Sequence, residues 1–166
     1  MRILGIDPGS ITTGYGVVDY DRGRLVLVDQ GSISTRRGAE LPERLQRIHD
    51  ELLSVIQKHA PEAIAVETPF AGQNVRSLIQ LAHARGVVLL AASRAGVGVF
   101  EYAPRSVKSA VVGFGGAEKE QVATMVRRLL PGCATLKMAA DASDALAIAI
   151  CHAHSSGVTA KLAIRA

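Results

Sequence analysis

Tryptophan is absent from this chain of 166 residues, and only three phenylalanines and three tyrosines are present. Cysteine is scarcer still, since Cys133 and Cys151 stand far apart with no CxxC pair and no neighbouring pair of histidines. This pattern argues against a disulfide framework and against a zinc site, so we expect two free thiols in a reducing compartment. The N-terminus lacks the charged, apolar and small-residue regions of a signal peptide, and we expect a cytoplasmic protein.

No apolar run is both long and unbroken enough to cross a bilayer, although 48% of the residues are apolar. The closest approach, residues 78–95, is interrupted by polar and charged side chains: Gln80, His83, Arg85, Ser93 and Arg94. We therefore expect no membrane partner. The length suits one domain with a substantial core, and no repeat or linker divides residues 1–166.

Acidic residues are outnumbered by basic ones, 15 against 19, which gives a net charge of +4. If four acids were held in a metal site, the rest of the chain would be more strongly basic, as expected for a polyanionic partner. Many mildly basic proteins bind no nucleic acid, so charge alone leaves both interpretations open. The glycine-rich segment 113–116 lacks the context of a phosphate-binding loop and predicts a turn between helices.

Apolar runs and turn residues predict strands at 3–7, 14–20 and 25–34, with a hairpin turn at 21–24. Apolar residues at helical spacing predict an amphipathic helix over 41–58. Strands and helices then alternate, which predicts a parallel half of the sheet. These later elements are strands at 63–67 and 97–102 and helices near 74–95, 106–112, 118–130 and 142–154.

Four carboxylates occupy positions where the predicted elements could bring them together. Asp7 and Glu67 each end a strand, and Asp141 and Asp144 open the last helix on the same side. Oxygen ligands suit Mg²⁺, and two Mg²⁺ ions about 4 Å apart can promote phosphodiester hydrolysis. Each acid also has an ordinary structural explanation as a turn, strand-end, N-cap or first-turn residue. The residues by themselves leave both explanations open.

Short motifs occur in order along nearly the whole chain: 6–10 (IDPGS), 13–17 (TGYGV), 65–67 (AVE), 84–86 (ARG), 107–108 (VK), 117–119 (AEK) and 140–149 (ADASDALAIA). Their order and spacing resemble the RuvC family of bacterial Holliday-junction resolvases. The resemblance implies an α/β fold of the ribonuclease-H-like class, with a central mixed five-stranded sheet flanked by helices. Departures from the family pattern include Thr68 and the stretch 80–83.

The same resemblance implies a Mg-dependent endodeoxyribonuclease that nicks two strands of like polarity at a four-way DNA junction, in recombination and DNA repair. It places Asp7, Glu67, Asp141 and Asp144 on the family's catalytic, metal-binding acids, with two Mg²⁺ ions per subunit and Mn²⁺ as a substitute. It further implies a homodimer and a partnership with the junction-migrating helicase complex of RuvA and RuvB.

The resemblance also assigns DNA contacts to Phe70, Asn74, Lys108 and Lys119. An ammonium group can neutralise a phosphate, although Lys119 could equally be a solvated residue at a helix start. An exposed Phe70 could stack on an unpaired base, whereas a buried Phe70 would cap the core. Arg76, Arg85 and Arg105 are looser candidates for contacts to the DNA backbone.

Other functional classes share single features with this chain. A junction-binding module without catalysis would not require all four acids. An actin-like sugar kinase or ATPase has a similar turn after its first strand, but 166 residues are too few for its two domains. Smaller resolvase-like RNA-processing nucleases share the opening 5–9 (GIDPG) and fit Phe70, Lys108 and Lys119 less well. We expect His152 and His154 to be packing or surface residues rather than metal ligands.

Overall fold

The computed structural model describes residues 1–36, 38–69, 75–133 and 136–163. Within them, five strands form one mixed sheet in the order β3-β2-β1-β4-β5. The strands are β1 (Arg2–Asp7), β2 (Thr12–Asp21), β3 (Arg24–Ser34), β4 (Ala63–Glu67) and β5 (Gly98–Tyr102). β1, β2 and β3 pair antiparallel, while β4 runs parallel to β1 and β5 parallel to β4. The predicted mixed sheet, with an antiparallel start and a parallel second half, is confirmed.

The hairpin between β2 and β3 has a two-residue loop. Arg22 and Gly23 both have positive φ angles, 46° and 89°. Such a loop matches the right-handed twist of the flanking strands and fixes their register. The local sequence therefore specifies the turn that joins this long strand pair.

The helices are α1 (Leu41–His59), α2 (Val75–Ala95), α3 (Pro104–Val112), α4 (Lys119–Leu129) and α5 (Ala140–Ala163). Proline in the first turn favours the starts of α1 and α3, where its missing N–H has no helical partner. α5 is longer at both ends than the predicted 142–154. Asp141 consequently lies inside the first turn of α5 rather than at the N-cap.

Each face of the sheet is covered by its own set of helices. On one face, Ile3, Val18 and Ala65 pack with residues of α3, α4 and α5. On the other face, Leu4 and Val66 pack with residues of α1 and α2. Successive side chains of a strand point to opposite faces, so Asp7 and Glu67 share the α5 face with Ile3 and Ala65.

Glycines give α5 its close seat on the sheet. Gly5 and Gly16 lie opposite each other in the β1–β2 pair. A methyl group at Gly5 would lie 2.1 Å from the carbonyl oxygen of Ala145, and one at Gly16 would lie 2.6 Å from the side chain of Leu146. A larger residue at either position would push α5 away, so the two glycines set the distance between α5 and the sheet.

One helix in the described part of the chain, α2, is long and apolar enough by length and composition to cross a membrane. The expectation that no stretch would reach that limit is therefore wrong for α2. Its Ala84, Val88, Ala91 and Ala92 are buried in the core shared with α1. Core helices of water-soluble proteins pass the same test, so it is weak evidence for a membrane.

Candidate active site

The register of β1 and β4 brings Asp7 and Glu67 side by side. Ile6 pairs with Val66 in the parallel register, and the two acids follow directly at the carboxyl ends of the strands. Neighbouring strands lie about 4.8 Å apart, so the two side chains leave the sheet as close neighbours. Both point to the face that α5 covers.

The start of α5 lies over the same edge of the sheet. Gly14 is the register partner of Asp7, and a methyl group added at Gly14 would lie 2.0 Å from the carbonyl oxygen of Asp141. Asp144, one turn further along α5, lines a pocket together with Asp7 and Glu67. Elements from three separate parts of the chain therefore bring the four predicted acids to one place.

Burial and mutual repulsion perturb the two strand-end acids. The pKa of Asp7 is raised to about 7, first by burial and then by the charges of Asp144, Glu67 and Asp141. The pKa of Glu67 is also raised, first by burial and then by Asp144, while Lys119 and Lys108 oppose the rise. Holding these groups ionised together costs free energy unless positive charge enters the pocket.

Lys119 supplies part of that positive charge. Its Nζ donates a hydrogen bond to Oδ2 of Asp144 over 3.1 Å, and the pair raises the pKa of Lys119. Lys108, on α3, lines an adjoining pocket with Glu67, Lys119 and Asp144. Arg85 also lines the pocket, but it is paired with Glu101. Two lysines facing four carboxylates leave the site short of positive charge.

The carboxylates were tested as a set of metal ligands. As the side chains stand, no three His, Cys, Asp or Glu residues in the described ranges are grouped closely enough to hold one ion. The pKa of Asp7 nevertheless responds to three other carboxylates, because charges interact over longer distances than a metal bond. Asp7, Glu67 and Asp144 also line one pocket, which places their carboxylates around a shared space. An all-carboxylate set fits hard cations such as Mg²⁺.

A family model described as crossover junction endodeoxyribonuclease RuvC matches residues 3–152. The chain belongs to the RuvC family. Its relatives include the crossover junction endodeoxyribonuclease RuvC of Gluconacetobacter diazotrophicus, 53% identical over 93% of this chain and 90% of that protein. The structure of Thermus thermophilus RuvC is similar with a TM-score of 0.87 and 38% identity, covering 96% of this chain and 97% of that one. A structure titled T. thermophilus RuvC in complex with Holliday junction substrate gives a TM-score of 0.86 and 39% identity, covering 96% of each chain.

RuvC-family membership confirms the resemblance drawn from the sequence and the ribonuclease-H-like fold. The family is one of metal-dependent nucleases. A nuclease of this family is not a membrane protein. The apolar α2 is therefore a helix that packs in the protein core.

The remaining predicted site residues differ in what the structure says of them. Phe70 and Asn74 lie outside the described residues, so their DNA contacts stay predictions. Arg85 lines the pocket and forms an ion pair with Glu101. Arg105 is exposed at the start of α3.

The two late histidines and the two cysteines are part of the protein interior. His152 is buried, and Nδ1 of His154 lies 2.9 Å from the carbonyl oxygen of Ala110. Both histidines make contacts inside the protein. Cys133 and Cys151 are buried free thiols, which confirms the predicted absence of a disulfide.

Sequence reasoning missed the part played by the strand glycines. Gly14 and Gly16, inside β2, make room for Asp141 and Leu146 of α5. Glycine inside a predicted strand is itself a signal of close backbone approach. A second missed feature is the hydroxyl of Thr13, which donates to the carbonyl oxygen of Gly9 over 2.8 Å and fastens the turn that follows Asp7.

Proposed function

We propose that this chain resolves four-way DNA junctions by metal-dependent nicking of two strands of like polarity, in recombination and DNA repair. The observation that carries the proposal is the meeting of Asp7, Glu67, Asp141 and Asp144 at one edge of the sheet in a chain of the RuvC family. The burial of Asp7 among like charges, which a structural role would not require, supports a site built for cations.

The four acids are the groups that would hold the metal. We assign them two Mg²⁺ ions per subunit, with Mn²⁺ as a substitute, because oxygen-only ligand sets of this charge favour hard divalent cations. When bound, the ions activate a water molecule and stabilise negative charge on the phosphate and the leaving oxygen. The protein's own contribution is to hold the acids on strands and a helix that pack against one another.

Lys119 changes partner in this proposal. In the free protein its ammonium group is paired with Asp144 and is 78% exposed. Once cations neutralise the acids, that pairing loses its electrostatic advantage and the ammonium group can face a DNA phosphate instead. Lys108, on the other side of the same pocket, takes a similar role.

Phe70 and Asn74 are proposed as further DNA contacts, on the basis of the family resemblance. A homodimer would place two such sites on a junction with near two-fold symmetry. α2 supports this because it exposes large apolar side chains, with Val75, Ile79 and Leu90 each more than half exposed. We also propose that the protein acts in the cytoplasm, together with the junction-migrating complex of RuvA and RuvB.

The test compares a synthetic four-way junction with a linear duplex, in Mg²⁺ and in chelator. Wild-type protein should nick the junction symmetrically in Mg²⁺, should leave the duplex uncut, and should be inactive in chelator. Glu67→Gln should bind the junction but not cut it, because it removes one metal ligand without changing shape.

A matched control is Glu51→Gln, which changes an exposed acid on α1 that forms an ion pair with Arg47 at 3.7 Å. It should cut like the wild type. Retained nicking by Glu67→Gln would contradict the assignment of the acids. Equal cutting of junction and duplex would instead indicate a general nuclease.

A further inference from the structure

A tyrosine and a histidine outside the proposed ligand set join the sheet to α5. The hydroxyl of Tyr102, at the end of β5, lies 2.7 Å from Nδ1 of His152. The ring of Phe100 lies against the same imidazole, with ring centroids 4.5 Å apart. His152 is only 4% exposed, so the contact lies in the protein interior and not on its surface.

Tyr102 is connected through its backbone to Glu67. The two residues are register partners in the β4–β5 pair. The carbonyl oxygen of Tyr102 accepts a hydrogen bond from the backbone N–H of Thr68 over 2.9 Å and a second from the Thr68 hydroxyl over 3.3 Å. The chain that leaves Glu67 is therefore held by Tyr102.

His152 is connected to the other acids because it lies on α5, two turns beyond Asp144. Burial lowers the pKa of His152, so its imidazole is neutral near pH 7 and Nδ1 can accept the Tyr102 O–H. Among the strands that the structure describes, β5 stands at the edge of the sheet and pairs with β4 alone. Its separation from α5 is therefore set by side chains and not by sheet hydrogen bonds.

We propose that Tyr102 and His152 are positioning residues that fix the spacing between Glu67 and Asp144 and thereby tune the affinity for divalent cations. The inference rests on the proposed function, because it takes these acids as metal ligands. A small change in the spacing of ligands on two rigid elements weakens every ion that both must contact.

The test measures Mn²⁺ binding to the full chain by calorimetry and by the electron paramagnetic resonance signal of free Mn²⁺. Tyr102→Phe removes only the hydroxyl group. We expect it to weaken Mn²⁺ binding about two- to tenfold, which is the factor corresponding to one net hydrogen bond. The Mg²⁺ concentration for half-maximal cleavage should rise by the same factor, with junction affinity in chelator unchanged.

His59→Phe is the matched control. Nε2 of His59 lies 2.8 Å from Oδ2 of Asp29. Phenylalanine keeps a ring but has no nitrogen to donate, so this variant loses a similarly buried contact. The contact lies on the opposite face of the sheet from α5, because Asp29 is the register partner of Val17. His59→Phe should lower the thermal midpoint about as much as Tyr102→Phe and leave Mn²⁺ binding unchanged. A second pair of variants guards against misfolding, since His152→Gln keeps an acceptor oxygen and should bind Mn²⁺ better than His152→Leu.

Unchanged Mn²⁺ affinity in Tyr102→Phe would overturn the inference, and so would equal weakening in His59→Phe. Failure of the proposed function has a different signature, because Glu67→Gln would then bind Mn²⁺ as tightly as the wild type. If Glu67→Gln bound Mn²⁺ weakly and Tyr102→Phe bound it normally, the metal site would be supported. The Tyr102–His152 contact would then have a packing role only.

Discussion

Neutralising Asp7 should stabilise the metal-free protein while abolishing its activity. The pKa of Asp7 is raised from an ordinary value of 3.8 to about 7 by burial and by three neighbouring carboxylates. A rise of about three pKa units corresponds to about 4 kcal/mol at 1.36 kcal/mol per unit. Asparagine keeps the shape of the side chain without its charge. Asp7→Asn should therefore gain up to about 4 kcal/mol of unfolding free energy at high pH in the absence of metal.

The pH dependence gives this prediction its sign. Below pH 3.8 both the folded and the unfolded wild type carry a proton on Asp7, and the substitution should change little. Between pH 3.8 and about 7 the folded state keeps a proton that the unfolded state releases, so wild-type stability falls as pH rises. Above about pH 7 both states are ionised and the full penalty applies. The gain in Asp7→Asn should grow across this window and then level off.

Denaturant unfolding in chelator, from pH 4 to pH 8, measures the effect directly. In a second series, Mg²⁺ replaces the chelator. It should stabilise the wild type and have little effect on Asp7→Asn, because a ligand raises the stability only of a protein that binds it. Junction cleavage should be lost and junction binding kept. Glu51→Gln serves again as the control and should follow the wild type throughout. An Asp7→Asn protein no more stable than the wild type at pH 8, or equally stabilised at pH 4, would refute the reasoning.

Two further predictions follow from packing and from surface charge. Gly5→Ala should cost about 3 kcal/mol or more of unfolding free energy, because its methyl group would lie 2.1 Å from the carbonyl oxygen of Ala145; Gly86→Ala, which meets nothing within 4 Å on α2, should instead raise the denaturant midpoint. A comparable loss of stability in Gly5→Ala and Gly86→Ala would contradict the close packing of α5 on the sheet. Lys119→Ala should cost no more than about 1 kcal/mol, since its ion pair is exposed, yet should lower the cleavage rate far more than Lys137→Ala does. Equal rates in the two lysine variants would remove Lys119 from the site.

The sequence anticipated the elements better than their ends. Short continuous apolar runs gave β4 its observed bounds and β1 a start within one residue of the observed one, since strands buried on both faces carry a strong local signal. The last helix was placed two residues too late because its start, Ala140, has no capping residue to mark it. The small residues that fill α5 blur its amphipathic pattern, so its far end was also misplaced.

The sequence by itself determined which chemical groups are present: four carboxylates at strand ends and at a helix start, and lysines on neighbouring elements. What only the tertiary structure decided is how those groups act on one another. The parallel register sets Asp7 beside Glu67, and glycines in β1 and β2 let α5 descend until Asp141 and Asp144 reach the same edge. The raised pKa of Asp7 and the pairing of Lys119 with Asp144 depend on burial and distance between residues remote in sequence. Local pattern carries no information on those quantities, because they arise only when the sheet and α5 pack together.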